Sequence, residues 1–351
     1  MAYTNIDKPE DFFSATLYTG DGSADQSMTG AGFKPDFLWI KRRNASERHV
    51  LTNVQMGASS GAYKWLDSSD THVEFTGGTG VASFDADGFT IKTSDTTWNA
   101  SGSTYVFWSW KANGGTTSNL SGNLASVVQV NQAAGFSIVG YTGTGNSTST
   151  IGHGITAGAP DLIICKNASQ SGYSWAVYSS ALPSVTNNLF LDFSGFINQY
   201  QDRFSAVTST TFTAGSNYPE VNGNNDLMIA YCWKSVPGYS KIGSYLWSAT
   251  SYTAGVMVND LGFTPRFVMI KGTTVTSNWY IFDNMRGQTG TYVYQYPLAP
   301  DNADAEQTTG YQSIQFNSNG FSAMVWNAGG ATTGSTGLNQ INETYLYFAV
   351  A

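Results

Sequence analysis

Charge is scarce in this chain. Of its 351 residues, 11% are Asp, Glu, Lys or Arg, against about 25% in an ordinary globular domain. Cysteine is nearly absent, with Cys165 and Cys232 alone, and histidine is limited to His49, His72 and His153. Neither cysteine has a Cys-x-x-Cys partner or a histidine at ligand spacing, so a disulfide framework and a cysteine–histidine metal site are both excluded. No apolar run approaches the ~18 residues of a membrane span. The opening Met1-Ala2-Tyr3-Thr4-Asn5-Ile6-Asp7-Lys8 lacks the basic-then-apolar order of a secretory signal. The charge that is present is lopsided: 24 acidic against 16 basic residues give a net −8. That sign repels phosphate backbones and anionic lipid, so nucleic acid and membrane insertion are not expected.

In place of charge stand 38 Gly and a 14% aromatic share. Disordered chains are poor in aromatics and rich in charge, so this one folds. Short β-branched and aromatic runs, such as Phe37-Leu38-Trp39-Ile40-Lys41 and Phe136-Ser137-Ile138-Val139-Gly140-Tyr141, are bounded by Gly, Asn, Asp and Ser. Strands and turns read this way. Helical periodicity is missing. Residues 9–13 and 303–307 are each expected to make about one helical turn.

An internal repeat sets the architecture. Pro35-Asp36-Phe37-Leu38-Trp39-Ile40-Lys41 returns as Pro160-Asp161-Leu162-Ile163-Ile164-Cys165-Lys166 and as Pro265-Arg266-Phe267-Val268-Met269-Ile270-Lys271. A closing signature recurs without a gap at 99–111, 222–234 and 339–351. Between them, Phe84-Asp85-Ala86-Asp87-Gly88-Phe89 matches Phe316-Asn317-Ser318-Asn319-Gly320-Phe321, and residues 207–212 fill the same place less clearly. Leu17-Tyr18-Thr19-Gly20 and Gly140-Tyr141-Thr142-Gly143 precede the proline strand, with Tyr245 as the weaker third member. Trp175-Ala176-Val177-Tyr178 and Trp279-Tyr280-Ile281-Phe282 follow it.

The expected fold is therefore all-β: three tandem, topologically similar β-sandwich or jelly-roll-like units packed as one body. The divisions are an N-terminal attachment arm at 1–10, unit 1 at 11–112, a linker and leading strand at 113–133, unit 2 at 134–235 and unit 3 at 236–351. Strand alternation sends Phe37, Trp39 and Lys41 to one face and Leu38 and Ile40 to the other. Both faces are apolar, so the strand is expected to be covered on both sides.

Each residue type that could carry chemistry has a plainer reading. Lys41, Lys166 and Lys271 end the proline strands and are expected to snorkel, with stems on the sheet and heads in water. Glycan hydrolysis needs two carboxylates about 5–9.5 Å apart across a cleft. The clusters Asp67/Asp70/Glu74, Asp85/Asp87 and Asp301/Asp304/Glu306 do not recur as one constellation and read as solvated loop acids. The histidines lie in polar, turn-like contexts, so a serine triad has no support. Loops 20–25 and 85–87 carry oxygen ligands suited to calcium, but turn chemistry accounts for them equally. Trp65, Trp98, Trp247, Trp326, Tyr292, Tyr294 and Tyr296 fall outside the signatures and suit core filling, sugar stacking or protein contacts. Cys165 and Cys232 read as small buried hydrophobes. No catalytic residue, metal ligand or cofactor is assigned, and the ligand-binding residues are unknown.

Gly32-Phe33-Lys34-Pro35-Asp36-Phe37, Asp87-Gly88-Phe89-Thr90-Ile91, Asn99-Ala100-Ser101-Gly102-Ser103-Thr104-Tyr105, residues 135–143 and residues 238–245 together resemble a family of virion and tail structural proteins, uncharacterised in function, found in marine and cyanobacterial tailed bacteriophages. The resemblance runs from Asp7 to Val350. Unit 3 departs most, with Trp247 where Thr-Gly is usual and a longer loop before Asn339. The resemblance implies a non-enzymatic virion component assembled in the host cytoplasm and set in the tail or adsorption apparatus as a fibre, spike or adaptor. The alternatives are a capsid-decorating protein and, third, a host-glycan depolymerase. Implied partners are other virion proteins, further copies of itself (a trimer, by analogy with adsorption proteins) and host surface polysaccharide.

Overall fold

The computed structural model describes residues 6–197, 202–215, 218–248, 255–287, 295–307, 312–325, 338 and 340–351. In the first third of the chain, β1 (Phe13–Thr19), β3 (Phe37–Arg42), β4 (His49–Asn53), β7 (Leu66–Asp67) and β10 (Thr104–Trp110) form an antiparallel sheet in the order β1-β10-β3-β4-β7. A second sheet, β2-β9-β8, is built from β2 (Gln26–Thr29), β8 (Val81–Asp85) and β9 (Gly88–Ile91), and β5 (Ala58–Ser59) pairs with β6 (Ala62–Tyr63).

The middle third repeats the order. Here β13 (Phe136–Thr142), β20 (Leu227–Trp233), β15 (Leu162–Asn167), β16 (Ala176–Ser179) and β17 (Leu189–Phe190) lie side by side. This sheet is extended beyond β13 by β12 (Ser126–Asn131) and β11 (Thr117–Asn119), so the junction between the first two units is itself two strands of the second sheet. Its small sheet joins β14 (Thr150–Gly152), β19 (Thr211–Ala214) and β18 (Phe204–Val207). In the last third, β21 (Ser240–Leu246), β27 (Thr344–Val350), β23 (Phe267–Gly272) and β24 (Trp279–Asp283) form the main sheet. The small one is β22 (Val256–Val258), β26 (Gly320–Val325) and β25 (Gln312–Asn317).

Registers coincide as well as orders. Phe37 faces Trp110, Leu162 faces Trp233, and Phe267 faces Val350 across the proline and closing strands. Phe212 pairs with Val207 in the small hairpin where Phe89 pairs with Phe84 and Phe321 with Phe316, so residues 207–212 do occupy the third hairpin position.

Each main sheet is apolar on both faces and is covered on both. On the outer face Leu38, Ile40 and Phe107 pack against Met28, Phe89 and Ile91 of the small sheet. Ile163, Cys165, Ala230 and Cys232 likewise pack with Ile151 and Phe212. The inner faces of all three main sheets meet in one core. Trp110 is its hub, with ring centroids 4.9 Å from Phe13, 5.3 Å from Phe37, 6.1 Å from Trp233 and 5.6 Å from Phe267. Trp233 in turn meets Phe348 at 5.3 Å, which joins the second sheet to the third.

Among the described residues helix is confined to short turns: a 3-10 turn at Pro9–Asp11, another at Val54–Met56, and α1 (Pro219–Asn222). The turn expected over 303–307 is absent. That segment instead runs as an irregular strap whose backbone is engaged by the first unit, with Glu47 N–H donating to Ala303 O and Glu306 N–H to Arg43 O, both at 2.8 Å. Of the expected arm, residues 1–5 lie outside the described set. Ile6 is buried in the central core and Glu10 pairs with Arg266 at 3.4 Å, so the described part of the arm lies on the chain's own third unit.

Because one core serves all three sheets, Trp110→Ala should destabilise the whole body by about 3–5 kcal/mol. Urea unfolding followed by tryptophan fluorescence and by far-ultraviolet circular dichroism should give coincident transitions before and after the change. Separate transitions for the two probes would mean that the units are held independently.

Candidate functional site

The repeated polar residues resolve first into clamps. Asn99 is fully buried. Its Oδ1 accepts from Asp21 N–H (3.0 Å), and its Nδ2 donates to Asp21 Oδ1 (3.0 Å) and Ser23 O (2.7 Å). Asn222 does the same in the second unit, accepting from Thr144 N–H (2.8 Å) and donating to Asn146 O (2.7 Å). Asn339, the third member, lies outside the described residues. The loop at 20–25, read as a calcium candidate, is thus fixed by hydrogen bonds that hold the Asp21 carboxyl below its usual range, chiefly those from Ser23.

The hairpin acids have a parallel role. Asp87 accepts from Gly30 N–H (3.2 Å) and Gly32 N–H (2.6 Å), and Asn319 accepts from Gly262 N–H (2.7 Å). An amide oxygen serves as well as a carboxylate, which explains the Asp-to-Asn exchange between units. The glycines that follow, Gly88 and Gly320, have φ of +147° and +154°. A Cβ there would run into the carbonyl oxygen of Met28 or Val258, so each hairpin lies too close to its neighbouring strand for any other residue.

The three lysines do not snorkel. Lys41, Lys166 and Lys271 are completely buried on the inner faces, because the adjacent unit covers the end of the strand where each head would emerge. Backbone carbonyls take the place of water. Lys41 Nζ donates to Glu47 O of its own unit (2.5 Å) and to Ala303 O of the third (2.9 Å). Lys271 Nζ donates to Ser277 O of its own unit and to Ser194 O of the second (2.8 Å). Lys166 Nζ donates to Tyr173 O (2.5 Å), with Asp192 of its own unit the first of the nearby charges acting on it, followed by Asp70 and Asp67 of the first unit. Lys41 and Lys271 thus each bond to a neighbouring unit. The indoles opposite repeat the direction: Trp175 Nε1 donates to Asp67 O and Trp279 Nε1 to Phe190 O, both at 2.8 Å. Burial pushes Lys41 and Lys166 down to about 8. It also lowers Lys271 and raises nearby Asp301, while the attraction between those two opposes both shifts.

Several acids and histidines are likewise not solvated loop groups. Asp67 is buried at the end of β7, accepting from Ser69 and lying 3.5 Å from Arg48. Glu306 bridges Arg43 (2.7 Å) and Arg286 (2.8 Å). The fully buried Arg286 also binds Asp283 (2.6 Å), which accepts from Trp108 Nε1 (2.8 Å). This network seals the third unit to the first. His49 and His153 are buried, and burial lowers both; the charges of Lys41 and Arg286 add to the effect at His49. Only His72 lies in the exposed, turn-like setting expected of all three. Trp65, Trp98 and Trp247 are core residues, Tyr296 is half-buried, and Trp326, Tyr292 and Tyr294 lie outside the described residues. Cys165 and Cys232 are buried and free, and burial pushes the Cys165 thiol up to about 12.

One concave site lies between the first two units, a cavity of about 270 Å³. Gln55, Met56 and Glu74 line it from the first unit, and Val127, Gly140 and Leu227 from the second. Glu74 Oε1 binds Lys64 (2.7 Å) and Gln55 Nε2 donates to Ile138 O (2.9 Å). Their other oxygens, Glu74 Oε2 and Gln55 Oε1, are buried with no hydrogen-bond partner among the described residues. Chemically the cavity offers two acceptors in an apolar wall, which suits hydroxyl or amino donors. Residue spacing does not reveal it, because neither acceptor belongs to a repeated signature and the wall exists only where two units meet. Among the described residues no group of three or more His, Cys, Asp or Glu could hold a metal ion, and no helix is long and apolar enough to cross a membrane.

A family model described as a domain of unknown function (DUF7483) matches residues 8–351. No curated protein and no solved structure matches the chain.

The buried lysines carry a pH signature. Lys166 titrates at about 8 when folded and near 10.4 when unfolded. Between those values the unfolded chain holds the extra proton, so the penalty of burying this ammonium is relieved as pH rises. The stability of the unaltered protein relative to Lys166→Met should therefore increase from pH 8 to pH 10, by about 1–3 kcal/mol in urea unfolding. A flat or falling difference would mean that the Tyr173 carbonyl holds the ammonium at its ordinary pKa.

Proposed function

The chain belongs to that family almost end to end, and on its residues we propose that it is a non-enzymatic structural component of a bacteriophage virion. In this reading it sits in the tail or adsorption apparatus and contacts other virion proteins and host surface polysaccharide. One observation carries the non-enzymatic part. The groups that recur between units, and would be the natural bearers of shared chemistry, spend their hydrogen bonds inside the body wherever they fall among the described residues. The lysine ammoniums bind carbonyls of their own and neighbouring units, and the asparagines pin loops. The Asp/Asn hairpin residues brace the turn before the proline strand.

The virion part rests on the sequence resemblance and on physical suitability. A body with little charge, two-sided sheets and three units locked in a cycle is stiff and presents β-rich surfaces to neighbours. One chain already supplies three related units, so threefold packing needs no further copies.

Labelled antibody against the protein should decorate intact particles at the tail. Purified protein incubated with host polysaccharide should release no reducing ends. Label on the head alone would favour the decorating role, and sugar release lost on substituting one carboxylate would make the protein a depolymerase.

A further inference from the structure

The cavity between the first two units has a constructed floor. Val127 of β12, Gly140 of β13 and Ile229 of β20 pair in one row across the second main sheet, and all three line it. Gly140 is the notch in that row. Leu17 and Ser244 hold its place in the other units, facing Val106 and Leu346 as Gly140 faces Ile229. Its φ is not positive and its pairing is regular, so backbone conformation does not call for glycine. A glycine inside a strand weakens the sheet and marks a place that something approaches closely. A Cβ at 140 would stand 3.2 Å from both Gln55 Oε1 and Val127 Cγ2, and a longer side chain would grow into the cavity.

The acceptors beside the notch are held in place. Gln55 Nε2 donates to Ile138 O (2.9 Å), and turning the amide over would set oxygen against oxygen, so Oε1 keeps its side. Glu74 N–H donates to Ala168 O of the second unit (3.0 Å), while its Oε1 receives the Lys64 ammonium (2.7 Å). Glu74 Oε2 and Gln55 Oε1 remain buried with no donor among the described residues. Two waters of about 30 Å³ each would satisfy them. Most of the cavity's volume of about 270 Å³ would then still be open. Val127 and Leu227 line it and are 44% and 41% exposed, an apolar lip beside two fixed acceptors.

We propose that this cavity binds one neutral sugar ring. Two hydroxyls of the ring donate to Glu74 Oε2 and Gln55 Oε1, and its C–H face rests on Met56, Val127 and Leu227. Charge selects among donors. Lys64 already balances Glu74, so an ammonium would bring an unpaired positive charge against an apolar wall, and an anion would meet the Glu74 carboxylate. An alcohol with a single hydroxyl would leave one acceptor without a partner. A sugar ring carries several hydroxyl donors at its edge and an apolar face, and the cavity, small among ligand pockets, suits one ring rather than a chain. The inference deepens the polysaccharide contact of the proposed function. It rests on that reading only for the source of the ring, a glycan chain end rather than a free sugar.

Saturation-transfer NMR on the purified full chain, with glucose, galactose, mannose and N-acetylglucosamine as probes, should show at least one of them bound with a Kd of about 1–10 mM. Cadaverine and glucuronate, an amine and an acid, should show no binding. Gly140→Leu places there the side chain that the first unit carries at the equivalent position, and it should abolish the signal. Gln55→Met keeps the volume and removes the acceptor, so it should weaken binding about tenfold or more. Both variants should keep the circular dichroism of the unaltered protein; where Gly140→Leu does not, Gln55→Met decides. No binding of any of the four sugars overturns the proposal, as does binding of cadaverine in their place or sugar binding that survives Gln55→Met unchanged. Oligosaccharides ending in the bound sugar test the source. Equal binding supports a glycan chain end, and exclusion overturns that source while the ring site stands. Antibody labelling of particles is independent of every one of these outcomes.

Discussion

Two-sided apolar sheets impose the constraint from which the rest of the structure follows. Phe37 and Trp39 point one way along β3 while Leu38 and Ile40 point the other, and all four are buried. A sheet of this kind cannot rest with either face in water. Its own hairpin sheet covers one face, but a single unit has nothing left to cover the second. Three units solve the problem jointly by turning their second faces inward, where Trp110, Trp233, Phe267 and Phe348 share one core. The repeat is thus a condition of stability: a unit excised alone would expose a face as apolar as a protein interior.

Closing that core buries whatever ends the inner rows, and what ends them is lysine. An ammonium out of water needs other oxygens. The fold supplies them as backbone carbonyls from the lysine's own loop and, for Lys41 and Lys271, from the neighbouring unit. Neutral carbonyl dipoles satisfy the donors without adding a buried carboxylate at each position, and burial still lowers all three lysines. Their depressed titration reports the packing of units, because each ammonium is buried against backbone carbonyls.

How much of this was legible in the sequence depended on whether a feature is local. The proline strands, the two-faced alternation, the tight hairpins at Asp87-Gly88 and Asn319-Gly320 and the equivalence of the closing strands are all local, and the structure has them where spacing placed them. The fate of the lysines was not local. A lysine at the end of a strand reads as snorkelling unless one knows that another unit lies across its exit. The same blindness applied to Asp67, whose carbonyl receives Trp175 of the second unit, to Glu306, which pairs with Arg43 of the first, and to the cavity, whose two oxygens without a partner among the described residues come from Gln55 and Glu74 of one unit while its far wall comes from another. The strap at 303–307 was misread for a related reason. Its Ala-Asp-Ala-Glu-Gln composition favours a helical turn, but its backbone groups are claimed by Arg43 and Glu47 of the first unit, and tertiary hydrogen bonds override so weak a local preference.

Three similar sheets facing one another raise a problem of order, since related surfaces could pair in more than one way. The residues opposite the first position of each proline strand answer it. Asn53, Ser179 and Asp283 hold equivalent places, opposite Phe37, Leu162 and Phe267. Asn53 reaches the Tyr231 hydroxyl of the second unit at 2.9 Å, and Asp283 receives the Trp108 indole of the first at 2.8 Å. Ser179 belongs to the unit whose Trp233 meets the ring of Phe348, where the closing strand of the third sheet has no polar group at the corresponding place. Exchanging the contacts of Ser179 and Asp283 would set the buried Asp283 carboxylate against the ring of Phe348 in place of its indole donor, and losing a hydrogen bond to a charged group costs about 1.5–3 kcal/mol. The apolar core makes association favourable without choosing among arrangements. These three unlike positions make the choice, by penalising the wrong neighbour rather than by rewarding the right one.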